Sequence, residues 1–486
     1  MSKANLKRTK IRTWEHWIGG KPTPSDSGQH LDDLNPEDDS VYTRLAAGTT
    51  TDVDTAVQVA QAAFGEYSKL LASEREAILS RTAGLLEQHS DEFVDILIDE
   101  VGSPIGKAQF EVQYGIACLR AAAGIARRVR GETIPSDSPG RLSISTRQPR
   151  GVIGSIAPFN VPLLKHTKLS ATPLATGNSV VMIPSEFASV TALRLGELYK
   201  EAGLPDGVYN VVTGLGAEIG DSLTTHHATQ VVMFTGSARI GHHIAELCGK
   251  NRKPVLLELG GKNPLLVLKD ADLDAAVHAA AFGAFFFQGQ ACMASSRIYV
   301  ERPVYDEFLT KFKACAGSLG MGDLRESNTW LGPIISDRQR NRVRTHIDDA
   351  KNKGATVEIG GQWQGNRCMP TILTGVDESM TVCRQETFGP VTSVYPVDSP
   401  EEALEKANDS EFGLSAAVFT QDIDKALILA QSIKAGMVHI NAPTIADEPH
   451  VPFGGVGNSG FGREGTDIDI DTLTEWKWIT VQLPVN

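Results

Sequence analysis

From residue 150 onward the chain alternates short apolar runs rich in β-branched residues with segments of helix length, and few folds accommodate that rhythm. The runs fall at 152–157, 180–183, 209–212, 231–234 and 255–259, with helix-length segments such as 189–202 and 216–224 between the first four. Strands this short and this apolar are covered on both faces, and successive parallel strands require right-handed crossovers. The pattern therefore predicts an α/β fold with a parallel sheet. A second alternation, with helix-like stretches at 272–286 and 303–316 and strand-like runs at 297–300 and 416–419, predicts another α/β domain from about 259 to 450. Residues 51–126 read as largely helical, because 52–64, 74–87 and 90–98 repeat apolar residues at helical spacing. The stretches 142–146 and 476–481 alternate apolar and polar residues, which predicts strands outside both cores. Those strands can form either a lobe that pairs with a neighbouring subunit or a local hairpin.

A chain of 486 residues exceeds one compact core, so two or three domains are expected. Its formal net charge of -13 argues against nucleic acid, whose phosphates need a basic face. The basic start, Lys3 to Arg12, runs into Thr13-Trp14-Glu15-His16-Trp17 and is read as neither a signal peptide nor an anchor. No run approaches the 18 or so apolar residues of a membrane span. The six cysteines are widely spaced without a Cys-x-x-Cys pair, as expected of thiols in a reducing compartment, and a cytoplasmic location follows as an expectation. His226-His227 and His242-His243 are adjacent pairs whose side chains point apart, so no metal site is expected.

Six segments carry possible chemistry. Cys292 follows an apolar run closed by Gln288-Gly289-Gln290, where a thiol can be either a small buried hydrophobe or a nucleophile. Asn160, in Ala157-Pro158-Phe159-Asn160-Val161-Pro162, is fixed in direction by nearby prolines, and its amide can donate to a developing oxyanion or merely form a turn. Glu258 closes an apolar run, where a carboxylate is costly unless paired or used as a base. Phe234-Thr235-Gly236-Ser237, continuing to Gly241, reads as strand, turn and helix start, whose free N–H groups can face a pyrophosphate. The string from Gly214 through Gly216 to Gly220 has one residue too many for the dinucleotide fingerprint. Glu386 and Phe388 lie in Glu386-Thr387-Phe388-Gly389-Pro390, and 452–460 is a glycine-rich loop that can line a substrate mouth.

Taken together and in this order, PFNVP, GNSVVMIPSE, FTGSARIG, ELGGKNP, FQGQACM, ETFGPV and VPFGGVGNSGFGRE closely resemble the NAD(P)-dependent aldehyde dehydrogenase superfamily over about residues 15–480. The resemblance implies a Rossmann-type nucleotide-binding domain (1–126 and 150–258), an α/β catalytic domain (259–450) and a small β oligomerisation lobe (127–149 and 465–486), in a homodimer or tetramer. It implies that Cys292 attacks the aldehyde, that Asn160 and the Cys292 N–H hold the oxyanion, and that Glu258 activates the water that clears a thioester. Ala157, Pro158, Phe159, Ile183, Ser185, Glu186, Gly216, Phe234, Gly236, Ser237, Gly241, Leu259, Glu386 and Phe388 fall on its cofactor positions. Relatives that pass the thioester to coenzyme A generally lack a glutamate at the Glu258 position, and a non-catalytic structural relative would need none of the three reactive residues.

The chain departs from the family at Ile183, where lysine is common, and at Phe159, where tryptophan is common. Glu186 without a neighbouring lysine should repel a 2′-phosphate, so NAD is expected over NADP. The PFNVP variant and the stretch 439–452 resemble the bacterial benzaldehyde, vanillin and salicylaldehyde dehydrogenases, so an aromatic aldehyde is expected. An aliphatic aldehyde or semialdehyde oxidised by the same mechanism is the alternative. Phe159, Phe286, Phe287 and Phe453 are candidates for a ring-shaped slot, and Asn441 or His450 for contact with a ring hydroxyl.

Overall fold

A computed structural model describes residues 11–465 and 467–484; residues 3–10 of the basic start lie outside the described residues. In the first large sheet, Val255–Glu258, Thr229–Thr235, Val152–Ile156, Ser179–Ile183 and Tyr209–Val211 lie side by side in that order, all parallel. These are the five runs expected from sequence, trimmed or extended by one or two residues. Alternate residues of each strand face opposite layers. Ile153, Val180, Met182, Val231 and Met233 pack under Ala72–Gln88, Ile105–Ile125, Pro162–Ala175 and Val190–Glu201. Val152, Val181, Ile183, Val232 and Phe234 pack under Thr50–Tyr67, Gly216–Thr225 and Ala238–Lys250.

Both edges of this sheet are antiparallel additions. His16–Ile18 pairs with Tyr209–Val211 at one side. At the other, Gly460–Phe461 pairs with Val255–Glu258, so that Gly460 sits opposite Glu258. A Cβ at Gly460 would lie 2.4 Å from the Leu257 carbonyl oxygen, and its φ of 155° also suits glycine. This two-residue strand delivers the C-terminal segment to the ends of the parallel strands.

The second sheet runs Thr356–Ile359, Thr371–Thr374, Val391–Val397, Ser295–Glu301, Asn263–Val267, Ser415–Phe419 and Met437–Ile440, parallel except for its first strand. Leu273–Phe285 covers it, started by the Asp272 carboxylate accepting from the N–H groups of Asp274 and Ala275. A third, antiparallel sheet pairs Thr474–Gln482 with Arg141–Pro149 over nine positions, with Glu132–Ile134 beyond. Both outlying stretches of alternating sequence are in it. Trp476, Trp478, Ile479 and Val481 remain exposed there. Among the described residues no helix is long and apolar enough to cross a membrane.

Candidate active site

Cys292 is held at the junction of the two large sheets by an unusual turn. After the helix Leu273–Phe285, Phe287, Gln288 and Gly289 all take left-handed backbone, with φ of 47°, 55° and 65°. Such strain persists only where surroundings enforce it. Gln288 donates to the Pro333 carbonyl at 2.9 Å, and Gln290 accepts from the Ile335 N–H at 3.1 Å, so both buried amides pin the turn. Asn263 then donates to the carbonyls of Cys292 (2.8 Å) and Ala294 (2.9 Å) while accepting from the Ser415 N–H at 3.0 Å. The ELGGKNP segment thereby carries a residue that fixes the cysteine loop, a contact that its sequence context does not reveal. All six cysteines are free thiols, and Cys292 is partly exposed.

The Cys292 thiol faces Glu258 Oε2 at 4.0 Å. Glu258 ends its strand buried, and its other oxygen has no hydrogen-bond partner among the described residues. Burial pushes this carboxyl up to about 8, with Lys165 pulling it down and Glu464 pushing it further up. Burial, followed by the Glu258 charge, raises the Cys292 pKa well above that of an ordinary thiol. The resting thiol is thus protonated and needs a base. Lys165 Nζ lies 3.8 Å from Glu258 Oε2 and 2.6 Å from Glu464 Oε2. Burial opposes the lysine's charge, but Glu464 and then Glu258 outweigh it, and its pKa is raised. Lys165 and Glu464 were not anticipated from sequence.

Asn160 occupies the turn between Val152–Ile156 and the helix Pro162–Ala175. It is buried, and its amide bonds to no described residue. A polar side chain so held, with unspent donors, suits an oxygen that arrives with substrate.

The residues assigned to the cofactor gather at the carboxyl ends of the parallel strands, where α/β sheets bind ligands. Ala157, Pro158 and Phe159 follow Val152–Ile156; Ser185 and Glu186 follow Ser179–Ile183; Gly236 and Ser237 follow Thr229–Thr235; Leu259 follows Val255–Glu258. Ser237 precedes the helix Ala238–Lys250 without capping it through its side chain, so the first N–H groups are free to meet an anion. A Cβ at Gly236 would come within 2.5 Å of the Phe234 ring, and one at Gly241 within 2.3 Å of Leu259. Gly216 opens the helix Gly216–Thr225 with nothing close above it. Ile183 is buried in the apolar layer with Phe234, Leu257 and Leu259. Glu386 Oε1 accepts from the Gly261 N–H at 3.1 Å, and a Cβ on Gly260 would overlap its carboxylate at 2.5 Å. Phe388, with φ of 55°, meets Phe159 edge-on at 5.8 Å.

The four phenylalanines do not form one slot. Phe159 packs between Phe187 and Phe388 on the strand-end side. Phe287 is buried behind the cysteine turn with the Lys107 ammonium 4.1 Å from its ring centroid. Phe286 stacks on Phe282 and touches Phe110 edge-on. Phe453 lies close to the Glu258 group, with Lys165 Nζ 5.2 Å from its centroid. Asn441 is also accounted for otherwise: its amide both accepts from and donates to the Thr420 backbone, closing a turn. His450 is exposed beside Glu448. The pattern of aromatic residues in sequence carried no sign of which core each ring joins.

A thiol, a nearby carboxyl base, an unspent amide and a glycine-lined strand end are what an acyl-forming dehydrogenase needs, and the comparisons with known proteins agree. Residues 23–479 match the aldehyde dehydrogenase family. A vanillin dehydrogenase of Pseudomonas fluorescens is 43% identical over 468 residues, covering 96% of this chain and 97% of that protein. The structure of a salicylaldehyde dehydrogenase from Pseudomonas putida G7 complexed with salicylaldehyde superposes with a TM-score of 0.95 at 38% identity, covering 97% of this chain and 98% of that one. A betaine aldehyde dehydrogenase from Staphylococcus aureus in complex with NAD+ gives 0.94 at 33% identity, over 96% and 95% of the two chains. With the match spanning both large sheets and every residue of the reactive cluster, this chain belongs to the aldehyde dehydrogenase family.

Proposed function

We propose that this protein oxidises an aromatic aldehyde to its carboxylic acid with NAD, through a thioester on Cys292. The observation that carries the reading is the 4.0 Å approach of the Cys292 thiol to the buried Glu258 carboxylate. In its ionised form Glu258 takes the thiol proton, and the thiolate attacks the aldehyde carbon. The Asn160 amide and the Cys292 N–H stabilise the resulting oxyanion. NAD held at the strand ends would supply the hydride acceptor for this carbon. The thioester then remains on Cys292, and Glu258 removes a proton from the water that attacks it. A pKa near working pH suits both transfers, since the same carboxyl must gain and lose protons within one turnover.

The strand ends fit NAD. The open helix start at Ser237 suits a pyrophosphate, Glu186 suits ribose hydroxyls, and Glu386, fixed by the Gly261 N–H, suits the second ribose. The division of labour we propose assigns 1–126 and 150–258 to the nucleotide, 259–450 to catalysis, and 127–149 with 465–486 to oligomerisation. The exposed tryptophans of the third sheet support a dimer or tetramer, and the wide spacing of free thiols supports a cytoplasmic location.

Aromatic specificity is supported by the vanillin and salicylaldehyde dehydrogenases to which the chain is similar. The test is NADH release from benzaldehyde, hydroxybenzaldehydes, vanillin and salicylaldehyde against acetaldehyde, hexanal, betaine aldehyde and succinic semialdehyde. The aromatic set should lead in kcat/KM. A short aliphatic or charged aldehyde winning by tenfold, about 1.4 kcal/mol, defeats the substrate class and leaves the dehydrogenase chemistry standing.

A further inference from the structure

Beside the reactive cluster lies a second group of buried polar side chains that the mechanism does not use. Lys168 Nζ pairs with Asp447 Oδ2 at 2.6 Å, and both side chains are nearly buried, at 7% and 10% exposure. The other oxygen, Asp447 Oδ1, is buried without a hydrogen-bond partner among the described residues, and so is the Tyr114 hydroxyl. Tyr114 is 8% exposed, and Lys168 Nζ lies 5.7 Å from its ring centroid. The two groups still face each other at longer range: after burial, the Asp447 charge is the next largest cause of the raised Tyr114 pKa, and a weak side-chain hydrogen bond to Asp447 adds to it. Neither buried atom makes a full hydrogen bond, and a ligand hydroxyl that meets both the phenol and the carboxylate supplies one to each.

The position of this group relative to the thiol gives it meaning. The Phe453 ring has Lys168 Nζ 4.8 Å and Lys165 Nζ 5.2 Å from its centroid, and Lys165 in turn reaches Glu258 at 3.8 Å. Tyr114 packs on Leu164 with Val161, the residue after Asn160. Farther out, half-exposed Phe110 meets both Tyr114 (5.8 Å) and Phe286 (6.2 Å). The contacts thus run from half-exposed Phe110 through the Tyr114–Lys168–Asp447 group to the Phe453 ring and Lys165, and from Lys165 to the base that faces the thiol.

We propose that Asp447 Oδ1 and the Tyr114 hydroxyl receive a hydroxyl carried by the aromatic ring of the substrate at the para or meta position. Asp447 accepts a hydrogen bond from the hydroxyl, Tyr114 donates to the hydroxyl oxygen, and Lys168 is a positioning residue that holds the Asp447 carboxylate in place. A hydroxyl ortho to the aldehyde stays beside the carbonyl near Asn160 and does not reach this group. The inference rests on the aromatic reading above and narrows it to ring-hydroxylated aldehydes.

The test compares kcat/KM for benzaldehyde and for 2-, 3- and 4-hydroxybenzaldehyde in the wild type, Tyr114→Phe and Asp447→Asn, with hexanal as reference. Calorimetric binding of 4-hydroxybenzaldehyde to Cys292→Ala and Cys292→Ala/Tyr114→Phe protein gives a readout free of turnover. The expected result is a preference of tenfold or more for the 3- or 4-hydroxy compound over benzaldehyde and over the 2-hydroxy isomer. That ratio should fall at least threefold in each variant, and binding should weaken likewise with Tyr114→Phe. Efficient benzaldehyde oxidation with no hydroxyl preference, or with a preference that survives both substitutions, overturns the inference and leaves the aromatic reading intact. Hexanal exceeding all four aromatic aldehydes by tenfold defeats the aromatic reading itself.

Discussion

Lys165 Nζ sits 2.6 Å from Glu464 Oε2, joining a helix that begins just after Asn160 to a carboxylate 299 residues away in sequence. The same ammonium lies 3.8 Å from Glu258, so two buried carboxylates compete for one cation. Glu464 raises the Glu258 pKa and Lys165 lowers it. Replacing Glu464 with glutamine leaves Lys165 to Glu258 alone and should move the acid limb of the kcat–pH profile to lower pH. Because the ionised carboxylate is the base, activity is lost as pH falls through its pKa, and a lower pKa extends activity downward. An unmoved or upward-moved limb in an active, folded Glu464→Gln protein would show that this cluster does not tune the base.

Asn263 ties the cysteine loop to the second sheet through three hydrogen bonds. Asn263→Ala should lower stability by about 2–4 kcal/mol, since each lost bond contributes about 1 and leaves its partner unmet. It should also reduce kcat/KM by tenfold or more, because the thiol loses its fixed direction. Thermal unfolding and steady-state kinetics on one sample check both; a destabilised variant with undiminished kcat/KM contradicts the positioning role.

Cofactor choice follows from charge at one turn. Glu186 stands after the strand Ser179–Ile183, and Ile183 is buried with no charge to offer. NAD should be preferred over NADP. Glu186→Gln should raise the NADP/NAD ratio of kcat/KM by about tenfold, or 1.4 kcal/mol. A wild type faster with NADP removes the basis of this prediction.

Asp33 and Glu100 form a buried carboxyl pair that makes stability depend on pH. Burial, then the Glu100 charge, raises Asp33 well above its ordinary range, and burial pushes Glu100 up to about 8. The folded state keeps protons that the unfolded chain releases near pH 4–5. The resulting stability is complete below that range and is lost as pH rises through about 8. Glu100→Gln, which can still accept from the Val190 N–H, should stabilise the protein at pH 9, on the order of 1–4 kcal/mol. The gain should narrow toward pH 5, and thermal midpoints across that range provide the check.

The outlying third sheet exposes Trp478 at 68% and Ile479 at 41%. A solution mass that is a multiple of the 52.2 kDa chain is expected. Ile479→Asp should shift it toward one chain, and a wild-type mass of one chain would contradict the oligomerisation role.

The parallel strands were legible in sequence because each is a β-branched run between turn residues, and they stop where glycine or proline follows. Cys292, Glu258 and Asn160 stood out as single polar or reactive residues at the ends of such runs. What sequence hid was long-range pairing. Lys165 reads as an ordinary helical lysine until Gly460–Phe461 docks beside Glu258, and a two-residue strand has no periodicity to detect. The three-residue strands Arg12–Trp14, His16–Ile18 and Lys21–Thr23 escaped for the same reason. The helix Asp337–Asn352 escaped because it is so polar that only a few apolar residues mark its buried side. The aromatic slot failed on direction: Phe286 and Phe287 are adjacent in sequence, yet the left-handed turn sends one toward Phe110 and the other under Lys107.

The central claim is that Glu258 clears a thioester from Cys292, and it is tested most directly in the Glu258→Gln protein with NAD and benzaldehyde. Rapid mixing should give a burst of about one NADH per active site followed by a slow steady state. Intact-mass analysis during the slow phase should find one benzoyl group on the chain, absent when Cys292 is also replaced by alanine. A variant that turns over at the unmutated rate, or a benzoyl adduct that persists without Cys292, would contradict the account.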